Sequence, residues 1–465
     1  MQTYRVLVVG GGAAGYFAAI AAAERLGPAG TVVLCEATAH PLAKVRISGG
    51  GRCNVTHDCL DPRELVKRYP RGGRELLGSF HRFGPRDTIA WFAERGVTLK
   101  TEADGRMFPV TDDSATIVEC LQREAARVGV EVRTRWPVRS LRRSSSGGFL
   151  AESTPGAPVA PAAQASEGGA AGRMDGGQGG VEVSLDAREV LEAACVILAT
   201  GGAKSVGGGT LAESLGHTIE PPVPSLFTFH CRDARIEGLA GLAVADAEVS
   251  VPDTDLRRRG PVLITHGGLS GPAILTLSAW GARVLAGLGY RFTLALNLVP
   301  GRTREQVRSE LRGQRTEHPR RRVSSGGPFA VPLRLWERLT AAAGIGPEVT
   351  WSHVSSEALE ALVAACGETR LAIEGKSLNK EEFVTCGGVR REEIDFRTLA
   401  SQRCPGLYVV GEALDVDGVT GGFNFQAAWT TGWLAGNAAA DAVAAAAAVG
   451  PHDTVRERRH PDRAS

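Results

Sequence analysis

Three glycines near the beginning of the chain have the spacing that dinucleotide binding requires. Gly10, Gly12 and Gly15 fill the pattern G-x-G-x-x-G: the first permits a tight turn, the second lets the backbone approach a pyrophosphate, and the third lets a helix pack closely on a strand. Glu36 follows 21 residues after Gly15, where a carboxylate can accept hydrogen bonds from ribose hydroxyls. Because an acidic residue there favours an unphosphorylated ribose, the pattern predicts binding of FAD or NAD rather than NADP.

The residues around these glycines predict the elements that must position them. The apolar run 6–9 indicates a strand, the alanine-rich segment 13–24 a helix, and the β-branched run 31–34 a second strand. The helix N-terminus, with Ala13 and Ala14 in its first turn, would hold the phosphates. The alternative interpretation is a tight turn that binds no ligand.

A second set of chemically suited residues lies near the other end of the chain. A predicted strand runs into Gly411 and Glu412, whose carboxylate could hold a ribityl hydroxyl. The turn at Gly421 and Gly422 then leads to a predicted helix over 427–449, whose N-terminus carries about half a positive charge. That charge suits the pyrimidine side of a flavin, where negative charge gathers on reduction. Since NAD needs no such second element, the two ends together predict FAD.

Two segments between these ends add further candidates. Residues 44–54 form a basic, glycine-rich loop whose backbone could lie against a flat or anionic group, although a flexible surface loop is the alternative. Residues 195–202 read as a buried strand that ends in A-T-G-G and returns the chain to the nucleotide sheet. The candidate cofactor residues in these segments are Lys44, Ser48, Gly51, Arg52, Cys53, Asn54, Ala199, Thr200, Gly201 and Gly202.

The length of the chain and the changes of composition along it predict several domains, because 465 residues exceed the size at which single cores stop growing. We expect an FAD-binding domain from residues 1–219 and 376–450, with a disordered low-complexity insertion at 144–180. Between its halves we expect a β-rich substrate domain at 220–300 and about 345–375, and a helical subdomain at 301–344. Residues 451–465 are expected to be a disordered tail.

Composition indicates which partners to expect. With 43% apolar residues, 22% charged residues and a net charge of +2, the sequence gives no reason to invoke nucleic acid or a membrane. The segment 302–322 holds eight Arg, but acidic residues interrupt it and no aromatic residues interleave, which favours a solvated helix over an RNA-binding patch. Nine scattered cysteines without a C-x-x-C pair predict reduced thiols, a cytoplasmic location and no metal site.

Taken together, the motifs resemble the YhiN/BaiN/aminoacetone-oxidase-like family of bacterial FAD-binding flavoproteins. The segments that carry the resemblance are G-G-G-A-A-G at 10–15, K-V-R-I-S-G-G-G-R-C-N-V-T-H at 44–57, R-M-F-P at 106–109, A-T-G-G at 199–202, T-H-G-G-L-S-G-P-A-I-L at 265–275, V-T-C-G-G-V at 384–389 and G-E-A-L-D-V-D-G-V-T-G-G-F-N-F-Q at 411–426. The resemblance implies an α/β fold with a Rossmann-like two-dinucleotide-binding FAD domain and inserted β-barrel-like and small helical domains.

The resemblance also implies roles for individual residues. Glu412 would hold the ribityl chain, the backbone at Val138 would meet adenine, and the segment 48–54 would approach the flavin. The residues expected at the flavin ring are Gly421, Gly422, Phe423, Asn424 and Gln426. The sequence departs from the family pattern at 203–216, which is shorter than usual and lacks an aromatic residue, and at the insertion 144–180.

The function implied is a hydride transfer between flavin N5 and a small organic substrate, with non-covalent FAD and with either O2 or transient NAD(P)H as redox partner. Family activities point to amine oxidation or to reduction of an activated C=C bond, and the sequence does not choose between them. His266 could bind substrate, although a solvated loop histidine is the alternative, and no acid, base or oligomeric state is assigned. The other class considered is a non-catalytic or RNA-associated flavoprotein.

Overall fold

The computed structural model describes residues 2–154, 188–202, 208–377 and 384–448 of the chain. Most of the predicted insertion at 144–180 and all of the predicted tail at 451–465 lie outside these residues. The described start of the insertion, however, forms an ordered turn and the strand Phe149–Ser153, because Phe149 and Ala151 alternate into the core. This strand agrees with the hairpin strand that the sequence predicts at the flank of the insertion, over residues 148–152.

The strands occupy the following ranges. They are β1 Gln2–Val9, β2 Val32–Cys35, β3 Thr56–His57, β4 Leu99–Thr101, β5 Arg106–Pro109, β6 Glu131–Arg133, β7 Val138–Arg143, β8 Phe149–Ser153, β9 Glu189–Leu198, β10 Ile219–Ser225, β11 Thr228–His230, β12 Ala243–Ser250, β13 Arg257–Thr265, β14 Gly268–Ser270, β15 Phe292–Asn297, β16 Thr369–Ile373, β17 Gly375–Ser377, β18 Val384–Val389, β19 Ile394–Asp395, β20 Ala400–Ser401 and β21 Leu407–Val409.

The α-helices occupy the following ranges. They are α1 Ala13–Leu26, α2 Ala43–Gly51, α3 Pro62–Leu65, α4 Gly73–Arg82, α5 Pro85–Glu94, α6 Ala115–Arg127, α7 Gly208–Ser214, α8 Pro272–Trp280, α9 Ala282–Gly287, α10 Arg304–Glu317, α11 Leu333–Ala342, α12 Ser356–Gly367 and α13 Phe423–Ala448. None of the described helices is both long enough and apolar enough to cross a lipid bilayer.

The chain folds into two compact units, Met1–Pro222 with Gly387–Ser465, and Val223–Cys386. In the described part of the first unit, the main sheet has the strand order β19-β20-β21-β9-β1-β2-β6, and β8 joins β7 to β9. Its centre is parallel: β1 pairs with β2 and β9, and β9 pairs with β21. Strand β2 and the second half of β1, residues 6–9, are buried and apolar throughout, as expected where helices cover both faces of a parallel sheet.

The second unit has its own sheet and core. Among its described residues the strand order is β16-β15-β12-β13-β14-β11-β17, and all of these pairs are antiparallel. Helices α8 to α12 accompany the sheet, and the buried core includes Phe227, Phe229, Trp336 and Trp351. The finer division of this region, with a separate helical subdomain at 301–344, stays a prediction.

Two local predictions differ from the structure. Helix α13 begins at Phe423 rather than at residue 427, because the left-handed glycines Gly421 and Gly422 end the turn directly before it. The predicted glycine-rich loop begins with the short helix α2, which is interrupted by a kink over residues 48–50, where Ser48 is extended and Gly49 and Gly50 are left-handed. The loop before α13 is therefore shorter than predicted, whereas residues 48–50 keep a non-helical backbone.

Helices α1 and α13 approach closely because small residues face each other. A Cβ added to Gly432 would lie 2.5 Å from the carbonyl oxygen of Ala14, and one added to Gly436 would lie 2.3 Å from that of Ala18. Positions four apart share one face of a helix, so the two glycines form a continuous flat strip. This strip brings together segments from opposite ends of the chain.

The close packing at these two glycines predicts that adding a single methyl group there lowers the stability of the first unit. Gly436→Ala should lower the free energy of unfolding of the first unit by about 1–3 kcal/mol, because a rigid backbone oxygen leaves no room for the added carbon. Chemical denaturation monitored by circular dichroism measures this change. The matched control is Gly78→Ala in α4, where the added Cβ meets no described atom within 4 Å and should be neutral or stabilising by up to about 1 kcal/mol. Equal effects at both glycines would contradict the packing argument.

Candidate cofactor site

Several predicted cofactor segments begin at the carboxyl ends of neighbouring parallel strands. Val9 of β1 pairs in register with Cys35 of β2 on one side and with Leu198 of β9 on the other, and Leu198 pairs with Val409 of β21. Ligands of open α/β sheets bind outside this edge. The residues that follow these strand ends directly are Gly10, Glu36, Ala199 and Val410.

The glycine fingerprint has the geometry that its spacing predicts. At Gly10, with φ +111°, an added Cβ would lie 2.3 Å from the carbonyl oxygen of Ala199, and at Gly15 it would lie 1.9 Å from that of Gly10. At Gly12, in contrast, an added Cβ would meet no described atom within 4 Å. Gly12 is also the N-cap of α1, and no described side chain caps this helix. The backbone amides of the first turn of α1, which include those of Ala13 and Ala14, could therefore bind an anion.

The Glu36 carboxylate is fixed by the backbone around it. Its Oε2 accepts a hydrogen bond from Gly11 N (2.8 Å), and its Oε1 accepts from Thr38 N (2.8 Å) and Thr38 Oγ1 (2.7 Å). A carboxylate has about four acceptor positions, so some remain for ribose hydroxyls. The backbone nitrogen of Trp136 donates to Glu36 O (2.9 Å), which places the start of β7 at Val138 on the same side of the sheet edge.

Glu412 lies where the two ends of the chain meet. Its Oε2 accepts from Lys44 Nζ at 2.5 Å and lies 4.0 Å from the position of a Cβ added to Gly201. The preceding Gly411, with φ +60°, would place a Cβ 3.0 Å from the Cβ of Ala14. The carboxylate predicted to hold a ribityl hydroxyl is therefore beside both the return strand and the first turn of α1.

The glycine-rich segment packs on the turn before α13. An added Cβ at Gly49 would lie 2.8 Å from the ring of Phe108, so only glycine fits there. The Asn54 side chain, with its amide nitrogen donating to Thr56 O (3.1 Å), accepts from the backbone nitrogen of Gly422 (3.0 Å) through its amide oxygen. The structure thus joins two segments that the sequence separates by more than 350 residues.

Backbone hydrogen bonds close this segment on itself. Cys53 N donates to Ser48 O (2.9 Å), and Ser114 N donates to Gly51 O (2.8 Å). The Ser48 hydroxyl donates to Val45 O (3.2 Å). Ser48 and Gly51 therefore serve first to hold the segment's shape.

Two side chains of the segment have little freedom for chemistry. Arg52 Nη1 donates to Glu102 Oε1 at 2.6 Å, and its guanidinium lies 4.0 Å over the ring of Phe108. Cys53 is wholly buried, and this burial raises the pKa of its thiol to about 12. A thiol with such a pKa stays protonated at neutral pH, which agrees with a small hydrophobic role.

The first turn of α13 is fixed by two polar side chains that were predicted at the flavin ring. Asn424 Nδ2 donates to Gly418 O (2.9 Å), and its Oδ1 accepts from Gly418 N (2.8 Å). Gln426 is fully buried and accepts from the hydroxyls of Thr56 (2.6 Å) and Thr88 (3.0 Å). These contacts hold the turn, and a direct contact of either side chain with a flavin stays a prediction.

His57 was not among the predicted site residues, although it ends the motif at 44–57. Its ring stacks on Phe423 with centroids 4.7 Å apart and an angle of 21°. Cys59 N donates to Nδ1 (3.1 Å), so the proton of the neutral ring is on Nε2, which lies 3.1 Å from Asp104 O. Burial lowers the pKa of His57, and this outweighs the raising effect of Asp58.

A recess opens beside the return strand in the first unit. Its volume is about 230 Å³, including space open to solvent. It lies between the ends of β9 and β21 and helix α7, and several of its lining residues are glycines without side chains. The lining includes Thr200, Gly201, Gly208, Gly209, Gly388 and Ala413. Gly202, the last described residue before 208, follows this lining directly. The predicted return-strand residues thus border open space.

One triad-like arrangement was not visible in the sequence. His217 Nδ1 lies 2.8 Å from Glu393 Oε2, and His217 Nε2 lies 2.8 Å from Ser401 Oγ. All three residues are buried, and Ser401 Oγ also accepts from the backbone nitrogens of Arg403 (3.0 Å) and Cys404 (2.8 Å). Because both acceptor positions of this hydroxyl are occupied, the set links the chain before β10 to β20 and cannot supply a nucleophile. His266, in the second unit, is exposed.

Comparison with known proteins agrees with this architecture. Residues 4–170 match the family model described as HI0933-like protein Rossmann domain, and residues 223–384 match that described as HI0933-like protein barrel and H2TH domain. The chain is 31% identical to a 3-dehydro-bile acid delta(4,6)-reductase of Clostridium scindens, over 94% of this chain and 99% of that protein.

Two further relatives are named for a different substrate. The chain is 29% identical to a ribosomal RNA dihydrouridine synthase of Escherichia coli, over 93% of this chain and 97% of that protein. It is 25% identical to a protein of the same name from Haemophilus influenzae, over 92% and 96%. The expectation that this chain has no nucleic-acid partner therefore stays a prediction.

Fold and site together define a Rossmann-type flavoenzyme, an FAD-dependent oxidoreductase that acts on a substrate. The chain belongs to the HI0933-like family of FAD-dependent flavoproteins. The fold class and the family resemblance predicted from the motifs are both confirmed.

The half-buried His57, whose pKa is lowered, predicts a pH dependence of stability. The pKa of His57 is lowered by folding, so below the unfolded value of about 6.5 the unfolded chain binds a proton that the folded chain does not. The contribution of His57 to the free energy of unfolding should therefore be full above that pH and fall as the pH decreases. Comparing wild type with His57→Gln by denaturation at several pH values measures this. A difference between them that does not change with pH would contradict the assignment.

Proposed function

We propose that this protein binds FAD non-covalently across the carboxyl edge of its main sheet and uses the reduced flavin to reduce a C=C bond conjugated to a carbonyl group. The observation that carries the FAD part is the in-register meeting of four strand ends, which puts an uncapped helix N-terminus and two carboxylates at one edge. In this arrangement Glu36 would accept from the adenosine ribose and Glu412 from the ribityl chain.

The relative position of the two helices supports the same ligand. Ala14, near the start of α1, lies beside Gly432, which is nine residues after the start of α13. At 1.5 Å per residue, the N-terminus of α13 extends roughly 12 Å beyond that of α1. One positive helix end would thus face the diphosphate, while the other lies further along, where a flavin ring gains negative charge on reduction.

The reductase assignment rests on chemistry that the relatives' names share. The delta(4,6)-reductase is named for a reduction, and the product named for the synthase, dihydrouridine, is uridine with one ring C=C bond reduced to a single bond. The bound flavin would supply the hydride at N5, and NADH or NADPH would reduce it beforehand. The chain's own residues orient the cofactor, and no described side chain is assigned as proton donor.

A matched pair of variants tests the cofactor assignment. Glu36→Gln should weaken binding of both ADP and FAD, whereas Glu412→Gln should weaken FAD and leave ADP unchanged, because only the ribityl contact is lost. A hydrogen bond to a charged acceptor contributes about 1.5–3 kcal/mol, so each affected dissociation constant should rise roughly 10- to 100-fold. Calorimetric titration of the apoprotein measures both ligands. Equal losses of ADP and FAD in the Glu412 variant would remove Glu412 from the proposed role.

An anaerobic assay tests the reaction. NADH or NADPH should bleach the bound flavin, and a conjugated enone such as a 3-dehydro-bile acid with a Δ4,6 system should restore its colour, because it accepts the hydride. The matched control is the corresponding saturated 3-dehydro-bile acid, which should not. If NAD(P)H leaves the flavin oxidised and an amine reduces it instead, with rapid reoxidation by air, the protein is an oxidase and the proposal fails.

A second candidate substrate is uracil within RNA, supported by the two relatives named for ribosomal RNA. One feature of the second unit favours it: Arg304, Arg308 and Arg312 of α10 approach a single acceptor, Glu360, at 3.9, 2.5 and 3.9 Å. Arg304 and Arg312 remain more than half exposed. Exposed guanidinium groups of this kind suit contact with a phosphate backbone.

The double variant Arg304→Glu/Arg312→Glu separates the two substrates. If RNA is the substrate, the variant should lose salt-dependent RNA binding and formation of dihydrouridine, measured by filter binding and nucleoside mass spectrometry. Its reoxidation by the small enone should be unchanged, because the substitutions are on α10. Wild-type protein that binds no RNA in low salt would eliminate this candidate.

A further inference from the structure

A short segment that follows α3 encloses the turn before α13. We define the clasp as residues 68–72 and the flavin turn as residues 415–422. Arg71 Nε and Nη2 donate to the two carboxylate oxygens of Asp417 in a bidentate pair. The Arg71 side chain is 9% exposed and that of Asp417 is 0% exposed, so solvent does not screen the interaction. The backbones of the same two residues also form a β-bridge.

Other residues of the clasp contact the turn as well. Val419 N donates to Arg68 O (2.8 Å), and Tyr69 Oη donates to Phe423 O (2.6 Å). At Gly72, with φ +80°, an added Cβ would lie 2.5 Å from Val416 Cγ2. The clasp therefore follows the turn from its beginning to the first residue of α13.

The buried pair is suited to fixing geometry more than to adding stability. Removing two charges from water costs free energy that their attraction only partly offsets, and apolar replacements of such pairs are often neutral or stabilising. A bidentate fork, however, restricts both the distance and the plane of the carboxylate. Asp417 is only four residues before Gly421, where the turn reaches the proposed ring position.

We propose that Arg71 is a positioning residue: by holding Asp417 it fixes the flavin turn and the N-terminus of α13, and thereby sets the affinity for the flavin half of FAD. This inference rests on the proposed function, since it assumes that the flavin ring lies at the turn. Arg71 does not touch the adenosine half, which belongs to Glu36 and the start of α1. Its influence is therefore confined to one half of the cofactor.

The test compares the dissociation constants of FAD and ADP for the purified full-length apoprotein. Arg71→Lys retains a counter-charge for Asp417 but replaces the planar fork by a single point donor. We expect the FAD constant to rise about 10-fold or more, the ADP constant to stay within about twofold, and the circular dichroism of bound flavin to change. The matched control is Arg74→Lys, a nearby exposed arginine, which should change neither constant.

The double variant Arg71→Met/Asp417→Leu distinguishes an effect of the ion pair on the position of the flavin turn from an effect on the stability of the fold. It removes both buried charges, so the melting temperature should stay near that of wild type while the ratio of the FAD and ADP constants remains raised. A ratio equal to that of wild type in both Arg71 variants overturns the inference, even though FAD binding itself persists. Wild-type protein that binds ADP but not FAD instead overturns the proposed function, and the role of Arg71 with it.

Discussion

Helices α1 and α13 meet backbone to backbone, and the arrangement of the first unit depends on that approach. Glycine at two positions of α13 removes every side-chain atom between Gly432 or Gly436 and the carbonyl oxygens of α1. Arg25 and Asp441 add an exposed ion pair across the same two helices, between residues 416 positions apart. Because the helices are rigid, this contact fixes where each begins: α1 begins at the glycine turn on the sheet edge, and α13 begins further along, directly after Gly421 and Gly422.

The remaining features of the site follow from this frame. Because these parallel strands end at the same level, the register of strand pairing alone brings Glu36, after β2, and Glu412, after β21, to the same edge of the sheet. Local hydrogen bonds then fix each group: Gly11 and Thr38 hold Glu36, Lys44 pairs with Glu412, and Asn54 holds Gly422. The site is thus supported mainly by backbone amides and short side chains, which suits a cofactor that brings its own chemistry.

Much of the fold could be predicted because its signals are local. The fingerprint glycines, the alanine-rich helix and the apolar strands follow each other within about 30 residues, and each is recognisable from composition and periodicity. The start of α13 was placed four residues late, since apolar periodicity does not show that a left-handed glycine pair ends the preceding turn. His57, Tyr69 and Arg71 escaped notice because each acts through a partner far away in sequence, and no local pattern marks such a partner.

The sequence by itself determined that one end of the chain carries the glycine fingerprint typical of ADP binding and that the other end carries a glycine turn and an acid suited to a flavin. Those properties depend on backbone conformation and residue type, which neighbouring residues decide. Only the tertiary structure decided that Arg52 is held in an ion pair and that the thiol of Cys53 stays protonated. It alone showed that a Ser–His–Glu set is a buried link between segments and that residues 68–72 support the flavin turn. These depend on burial and on pairing between distant segments, which the order of residues along the chain does not contain.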